Sequence, residues 1–162
     1  MTFIIDGTAG ATFPNGTNPQ AAPSKVLQVV QGTYNLSSST TGTSYVASGL
    51  TASITPLFST SKILIITSSS ITNSSAGSGG TNLTIYRNST NLGGGTATAL
   101  ADYLVNSGTS SLWVPCSIIY LDSPTTTSST TYTLYYSVSG AGTAYATINQ
   151  TLSTITLMEI AQ

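Results

Sequence analysis

Residues 130–138 read TTYTLYYSV, and the spacing within this stretch decides the fold. Tyr132, Leu134, Tyr136 and Val138 alternate with Thr131, Thr133, Tyr135 and Ser137. Successive side chains of an extended chain point to opposite faces, so one side of the segment is apolar and the other rich in hydroxyls. A helix would scatter the same residues around its axis. Threonine and tyrosine also favour a pleated surface. The segment is therefore a half-buried strand, and its apolar side requires a second sheet to cover it.

Similar runs recur outward from it, between clusters of Gly, Pro, Asn and Ser: residues 2–5, 25–31, 43–47, 50–55, 62–70, 82–87, 98–105, 112–121, 143–149 and 154–160. No stretch carries a helical period, and the ready helix formers Glu and Lys are nearly absent. An all-β sandwich follows. Two of its strands differ from residues 130–138. In 62–70, Ile63 and Ile65 lie on one face and Leu64 and Ile66 on the other; in 25–31, Val26 and Val30 oppose Leu27 and Val29. A two-layer sandwich covers only one face of each strand. The second cover is expected from a neighbouring subunit.

The punctuation is equally legible. Asn88-Ser89 suits a two-residue hairpin turn, and Asp122-Ser123-Pro124 ends one strand before the next begins. Residues 74–80 and 93–95 read as loop tips. Residues 7–23 hold Pro14, Pro19 and Pro23 and no strand-like run. The expected organisation is thus an extended N-terminal attachment arm over residues 1–23 and one β-sandwich over residues 24–162.

Composition narrows the function. Charged residues are 4% of the chain, against roughly a quarter in ordinary soluble domains, and Ser and Thr supply about a third. The cations are Lys25, Lys62 and Arg87, too few and too scattered for the basic face that nucleic acid requires. No apolar run approaches the roughly 20 residues of a membrane-spanning helix. The start, MTFIID, lacks the pattern of a secretory signal, and Cys116 stands alone, without a disulfide partner. Assembly in a reducing cytoplasm is expected. Low charge also weakens self-repulsion, which favours specific association.

Catalytic constellations are missing. The chain has no His, which removes the usual general base, the nucleophilic triads and most zinc and copper sites. Asp6, Asp102, Asp122 and Glu159 are far apart in sequence, so only the fold can bring two together as a glycosidase needs. Asp122, before Ser-Pro, is expected in an Asx turn, and Asp102 on a solvated strand face. Glu159 shares a face with Ile155 and Leu157; it is expected in water at the strand end, or else paired with Lys25 or Lys62. No phosphate-binding or calcium-loop pattern occurs. The N-x-S/T triplets at Asn15, Asn35, Asn73, Asn82, Asn88 and Asn149 follow from the abundance of Ser and Thr. The nine Tyr and Trp113 are read as strand formers first, although exposed aromatics can also stack on sugars. No catalytic, cofactor-binding or metal-binding residue is assigned, and no enzyme activity is expected.

The segment IIDGTAGATFPNGTNPQ (residues 4–20) resembles the G-x-T-F-P-x-G-T-x-Q stretches of bacteriophage tail-fibre and virion structural proteins. SKVLQVVQGTYN, TSYVASGLTASITPLFSTSKILIITSSS, LTIYRNST, YLDSPTTTSSTTYTLYYS and STITLMEIAQ are similar to a β-sandwich module of tailed phages of marine and cyanobacterial hosts. The resemblance implies a jelly-roll-like sandwich, broadly of the tumour necrosis factor-like class, trimeric about a three-fold axis and located in the virion. It implies no catalytic residues. Two roles fit: a capsid decoration (cement) protein whose arm grips the major capsid protein, or a tail-fibre or receptor-binding tip touching a host surface glycan. A chain of this length has no room for a fibre shaft, which favours decoration. A secreted carbohydrate-binding module, the third class, lacks a leader and an aromatic platform.

Overall fold

The computed structural model describes residues 4–6, 10–12, 25–75, 78–94, 98–105, 112–147 and 151–162. They form strands β1 (Ile4–Asp6), β2 (Gly10–Thr12), β3 (Val26–Tyr34), β4 (Ser39–Thr40), β5 (Val46–Ile54), β6 (Lys62–Ser74) and β7 (Gly79–Arg87). The remainder are β8 (Thr90–Asn91), β9 (Ala101–Val105), β10 (Val114–Asp122), β11 (Thr130–Gly140), β12 (Thr143–Ala146) and β13 (Ser153–Ile160). Every pairing is antiparallel.

Two sheets face each other. The first runs β3-β13-β6, with β10 on the far side of β6; the short β12 pairs with the end of β6 on the side opposite β10, and β4 pairs with β12. The second runs β5-β11-β7, with β8 and β9 on the far side of β7. The chain crosses between sheets after β4, β5, β6, β9, β10 and β11, giving the expected jelly-roll-like sandwich.

The core lies where alternation places it. Tyr132, Leu134, Tyr136 and Val138 of β11 are all buried, as are Ile63, Ile65 and Ile71 of β6 and Ile155 and Leu157 of β13. Leu50 and Ile54 of β5 and Leu83 and Ile85 of β7 complete the opposite wall.

Several boundaries differ from expectation. The runs expected at residues 43–47 and 50–55 merge into a single strand, β5 (Val46–Ile54), with residues 43–45 before it, because Ser48-Gly49 forms an irregularity in the ladder with β11 rather than a break. Gly49 sits at φ +93°, and a side chain there would strike the Tyr34 ring. Gly79 and Gly80 are not loop tip but the first two residues of β7, paired with Ser139 and Gly140. Residues 98–100 precede β9 rather than join it, residues 112–113 precede β10, and β12 ends at Ala146. The arm was expected to hold no strand between residues 7 and 23. Instead Gly10–Thr12 pairs antiparallel with Ile4–Asp6. Residues 13–23 lie outside the described part.

Candidate functional site

The two outer faces of the sandwich differ in chemistry. On the β5-β11-β7 sheet the outward side chains include hydroxyls that pair across strands. Thr51 Oγ1 and Thr133 Oγ1 lie 2.9 Å apart, and Ser53 Oγ and Thr131 Oγ1 2.7 Å apart. Beside them Tyr86 stacks on Tyr135 with centroids 4.0 Å apart, and Tyr45 tilts against Tyr86 at 6.4 Å. Such a surface is content in water.

The outer face of the β3-β13-β6-β10 sheet is the opposite. Register places Val29, Met158, Leu64 and Leu121 in one row across all four strands. The next row is Gln31, Thr156, Ile66 and Ile119. Ile119 is 70% exposed, Val29 57% and Leu121 50%, whereas Leu64, Ile66 and Met158 are half-covered by these neighbours. The third row, Thr33, Thr154, Ser68 and Ser117, is polar. At the far end Trp113 meets Tyr145 edge-on at 5.8 Å, near Thr72, which is buried and donates to the Leu112 carbonyl at 2.7 Å. The two-sided apolar pattern of β3 and β6 is thus real. The sequence pointed to those two strands; Met158, Ile119 and Leu121 join the row only through register.

Two of the acidic residues, Asp122 and Glu159, are engaged. Asp122 was expected in an Asx turn; it is instead buried, held by Arg87 Nη1 at 2.8 Å (Oδ1) and 3.0 Å (Oδ2), while the Tyr132 hydroxyl donates to Oδ2 at 2.7 Å. A turn role leaves a carboxylate near water, but Arg87 reaches it from the other sheet and supplies a stronger partner. Burial first, and the Asp122 bond second, push the Tyr132 hydroxyl above the ordinary tyrosine range, so it stays protonated and donates.

Glu159 lies neither in water nor beside a lysine. It is shut off from solvent and accepts from Gln28 Nε2 at 2.6 Å and from the amides of Leu57 at 2.8 Å and Phe58 at 3.3 Å. Its cover is thin, a loop at the sandwich edge rather than the deep core. Burial raises its pKa, but the donated hydrogen bonds outweigh this and hold the carboxyl below its ordinary range.

Register sets Asp122 and Glu159 on either side of Ile63. The fold therefore does bring two acids to one row, yet both are buried and engaged, and Ile63 fills the space between them. No glycosidic bond or attacking water reaches between two such carboxylates. Asp102 is exposed on β9 as expected, Cys116 is half-buried with its thiol pushed up by burial, and Asp6 lies in β1. Asn73 is buried, with Nδ2 donating to the Gly80 carbonyl at 2.9 Å, so that triplet serves the β6–β7 corner. Among the described residues no cluster of His, Cys, Asp and Glu is arranged to hold a metal, and no helix is long and apolar enough to cross a membrane.

No protein-family model matches the chain, and neither does any curated protein. Among solved structures, a mutant VP2 protein of infectious bursal disease virus, in T=1 particles, is similar at a TM-score of 0.37 and 15% identity. The match covers 83% of this chain and 36% of that one. A likeness this loose is one of general outline, and the functional reading rests on the chain's own residues.

Proposed function

We propose that this chain is a non-enzymatic structural subunit of a bacteriophage virion, a homotrimeric capsid decoration protein that binds the major capsid protein through residues 1–23. The observation that carries the reading is the contrast between the two outer faces, one wetted by paired hydroxyls and tyrosines, the other apolar across four strands. A face of the second kind suits a protein that works in assembly. The engaged, buried states of Asp122 and Glu159 suit a scaffold rather than a catalyst. The chain's likeness to virion structural proteins of tailed phages at residues 4–20 supplies the context. One observation favours a tail-fibre or receptor-binding role instead: the stacked Tyr86 and Tyr135 on the hydroxyl-rich face suit contact with a host glycan.

Counting copies in purified particles separates the two. Decoration at the symmetry positions of a shell requires on the order of hundreds of copies, and a tail position a few tens or fewer. Deleting residues 1–23 should then leave a cooperatively folding sandwich that no longer attaches to the particle. Loss of folding on that deletion would show that the arm belongs to the core.

A further inference from the structure

We propose that three copies of the chain close the outer faces of their β3-β13-β6-β10 sheets around a three-fold axis, forming a triangular prism whose interior is filled by Val29, Leu64, Ile66, Ile119, Leu121 and Met158. The inference rests on the homotrimeric reading above and assigns its interface.

Geometry accommodates three copies. Strands sit about 4.8 Å apart, so a four-stranded sheet is about 19 Å wide. Three such sheets joined edge to edge as an equilateral prism each stand about 5.5 Å from the axis. That is close to half of the roughly 10 Å at which sheets pack face to face, the distance that side chains fill. The four strands run together over residues 62–68 of β6, about 24 Å of length, so each face offers about 450 Å². Closing the prism covers all three faces, about 1,400 Å² in all, shared among three equivalent interfaces that form together.

The edges agree with the faces. Among the described residues no further strand pairs with β10 or with β3 beyond its first residue, and strand edges seek pairing. Successive antiparallel pairings make β3 and β10 run in opposite directions. At each corner of the prism, β10 of one copy therefore meets β3 of the next in antiparallel sense. Both edges are closed without a change of pairing type.

Charge points to a like partner too. The charged residue among these rows is Lys62, level with Ile160 at their end, and no acid lies among them. A partner steered by charge would find almost nothing to read. A second copy brings the same apolar row at the same height.

The test uses a cysteine pair that cannot close within one chain. Val29 and Leu121 sit on the first and fourth strands of the row, about 14 Å apart in one sheet, but meet across each prism corner. Val29→Cys/Leu121→Cys in a Cys116→Ser background should give covalent trimers on mild oxidation. Leu64→Glu sets three carboxylates at the axis and should reduce the mass by light scattering from three chains to one 16.5 kDa chain. A cooperative melt of that monomer shows that the sandwich itself persists. Covalent dimers alone would overturn the three-fold arrangement in favour of face-to-face pairing. A trimeric wild type that neither cross-links nor dissociates on Leu64→Glu uses another surface, which overturns this inference and leaves the trimer standing. A monomeric wild type overturns both.

Discussion

Arg87 Nη1 lies 2.8 Å from Asp122 Oδ1 and joins the two sheets of the sandwich, since Arg87 belongs to β7 and Asp122 to β10. The Tyr132 hydroxyl closes the cluster from β11. Breaking a buried pair by removing one member costs about 3–5 kcal/mol, because a charge is left without its partner. The Arg87 side chain is 27% exposed, so water replaces part of what is lost. Arg87→Ala is expected to cost about 3 kcal/mol in urea titration. Replacing both residues by Arg87→Met/Asp122→Leu should cost less than the two single changes combined, because no charge is then stranded. Equal or greater cost would show that the pair acts through packing alone.

Glu159 makes stability depend on acidity in a defined direction. Its folded pKa lies below the ordinary value of 4.5, held there by Gln28 and the Leu57 and Phe58 amides against the opposing effect of burial. A depressed carboxyl contributes stability that is fully present above its unfolded pKa and lost as pH falls through the folded one. The unfolding midpoint should stay level from neutral pH to about 5 and fall below about 4.5. Glu159→Gln should be about 2 kcal/mol less stable at pH 7, since hydrogen bonds to a charged acceptor are the stronger kind. Its curve should meet that of the wild type in acid. Parallel curves at all pH values would remove Glu159 from the account.

Two glycines should respond in opposite ways to alanine. A Cβ on Gly32 would run into the Thr51 carbonyl oxygen where β3 crosses β5, and backbone on both sides leaves nothing to yield. Gly42 has only the Thr40 hydroxyl at 3.5 Å and the Ser44 amide at 4.0 Å near its Cβ position. Gly32→Ala should therefore cost about 3 kcal/mol by overpacking, while Gly42→Ala should stay within about 0.5 kcal/mol of wild type or gain slightly from a less disordered unfolded chain. Thermal melts of the two variants provide the comparison.

These contacts also mark where sequence reading succeeds and stops. Alternation in β11 was legible because its side chains are sorted by a period of two, and the burial of Tyr132, Leu134, Tyr136 and Val138 follows it residue by residue. Leu64 and Val29 declared a second apolar face for the same reason. Gly49 did not declare itself, since a strand-interrupting glycine and one that lets a strand continue through an irregularity look alike until φ is known. Asp122 and Arg87 are 35 residues apart, and only the sandwich brings them together. Glu159 was harder still: two of its partners are backbone amides, which every residue carries and no residue type announces.

The final prediction concerns what holds the protein to its partners. Of three cations and four acids, Arg87 and Asp122 are spent on each other and Glu159 is shut inside, so at most four charged side chains are left to meet any partner. Ion pairs cannot dominate an interface built from so few groups. Adhesion must come from apolar burial, at about 25 cal/mol per Å², and from backbone hydrogen bonds along strand edges. Neither is screened by salt, whereas exposed charge pairs fade as the Debye length shrinks from about 10 Å at 0.1 M to about 3 Å at 1 M. Raising NaCl to about 1 M should leave the proposed trimers assembled and attached to the proposed particles, because salt then removes only a contribution that was small. Moderate guanidinium should strip them, since it solvates apolar and peptide surface alike. The measurement is release of this protein from purified particles across the two titrations. Release by NaCl alone would mean that a charged surface on the partner steers the contact, through the few exposed charges that remain.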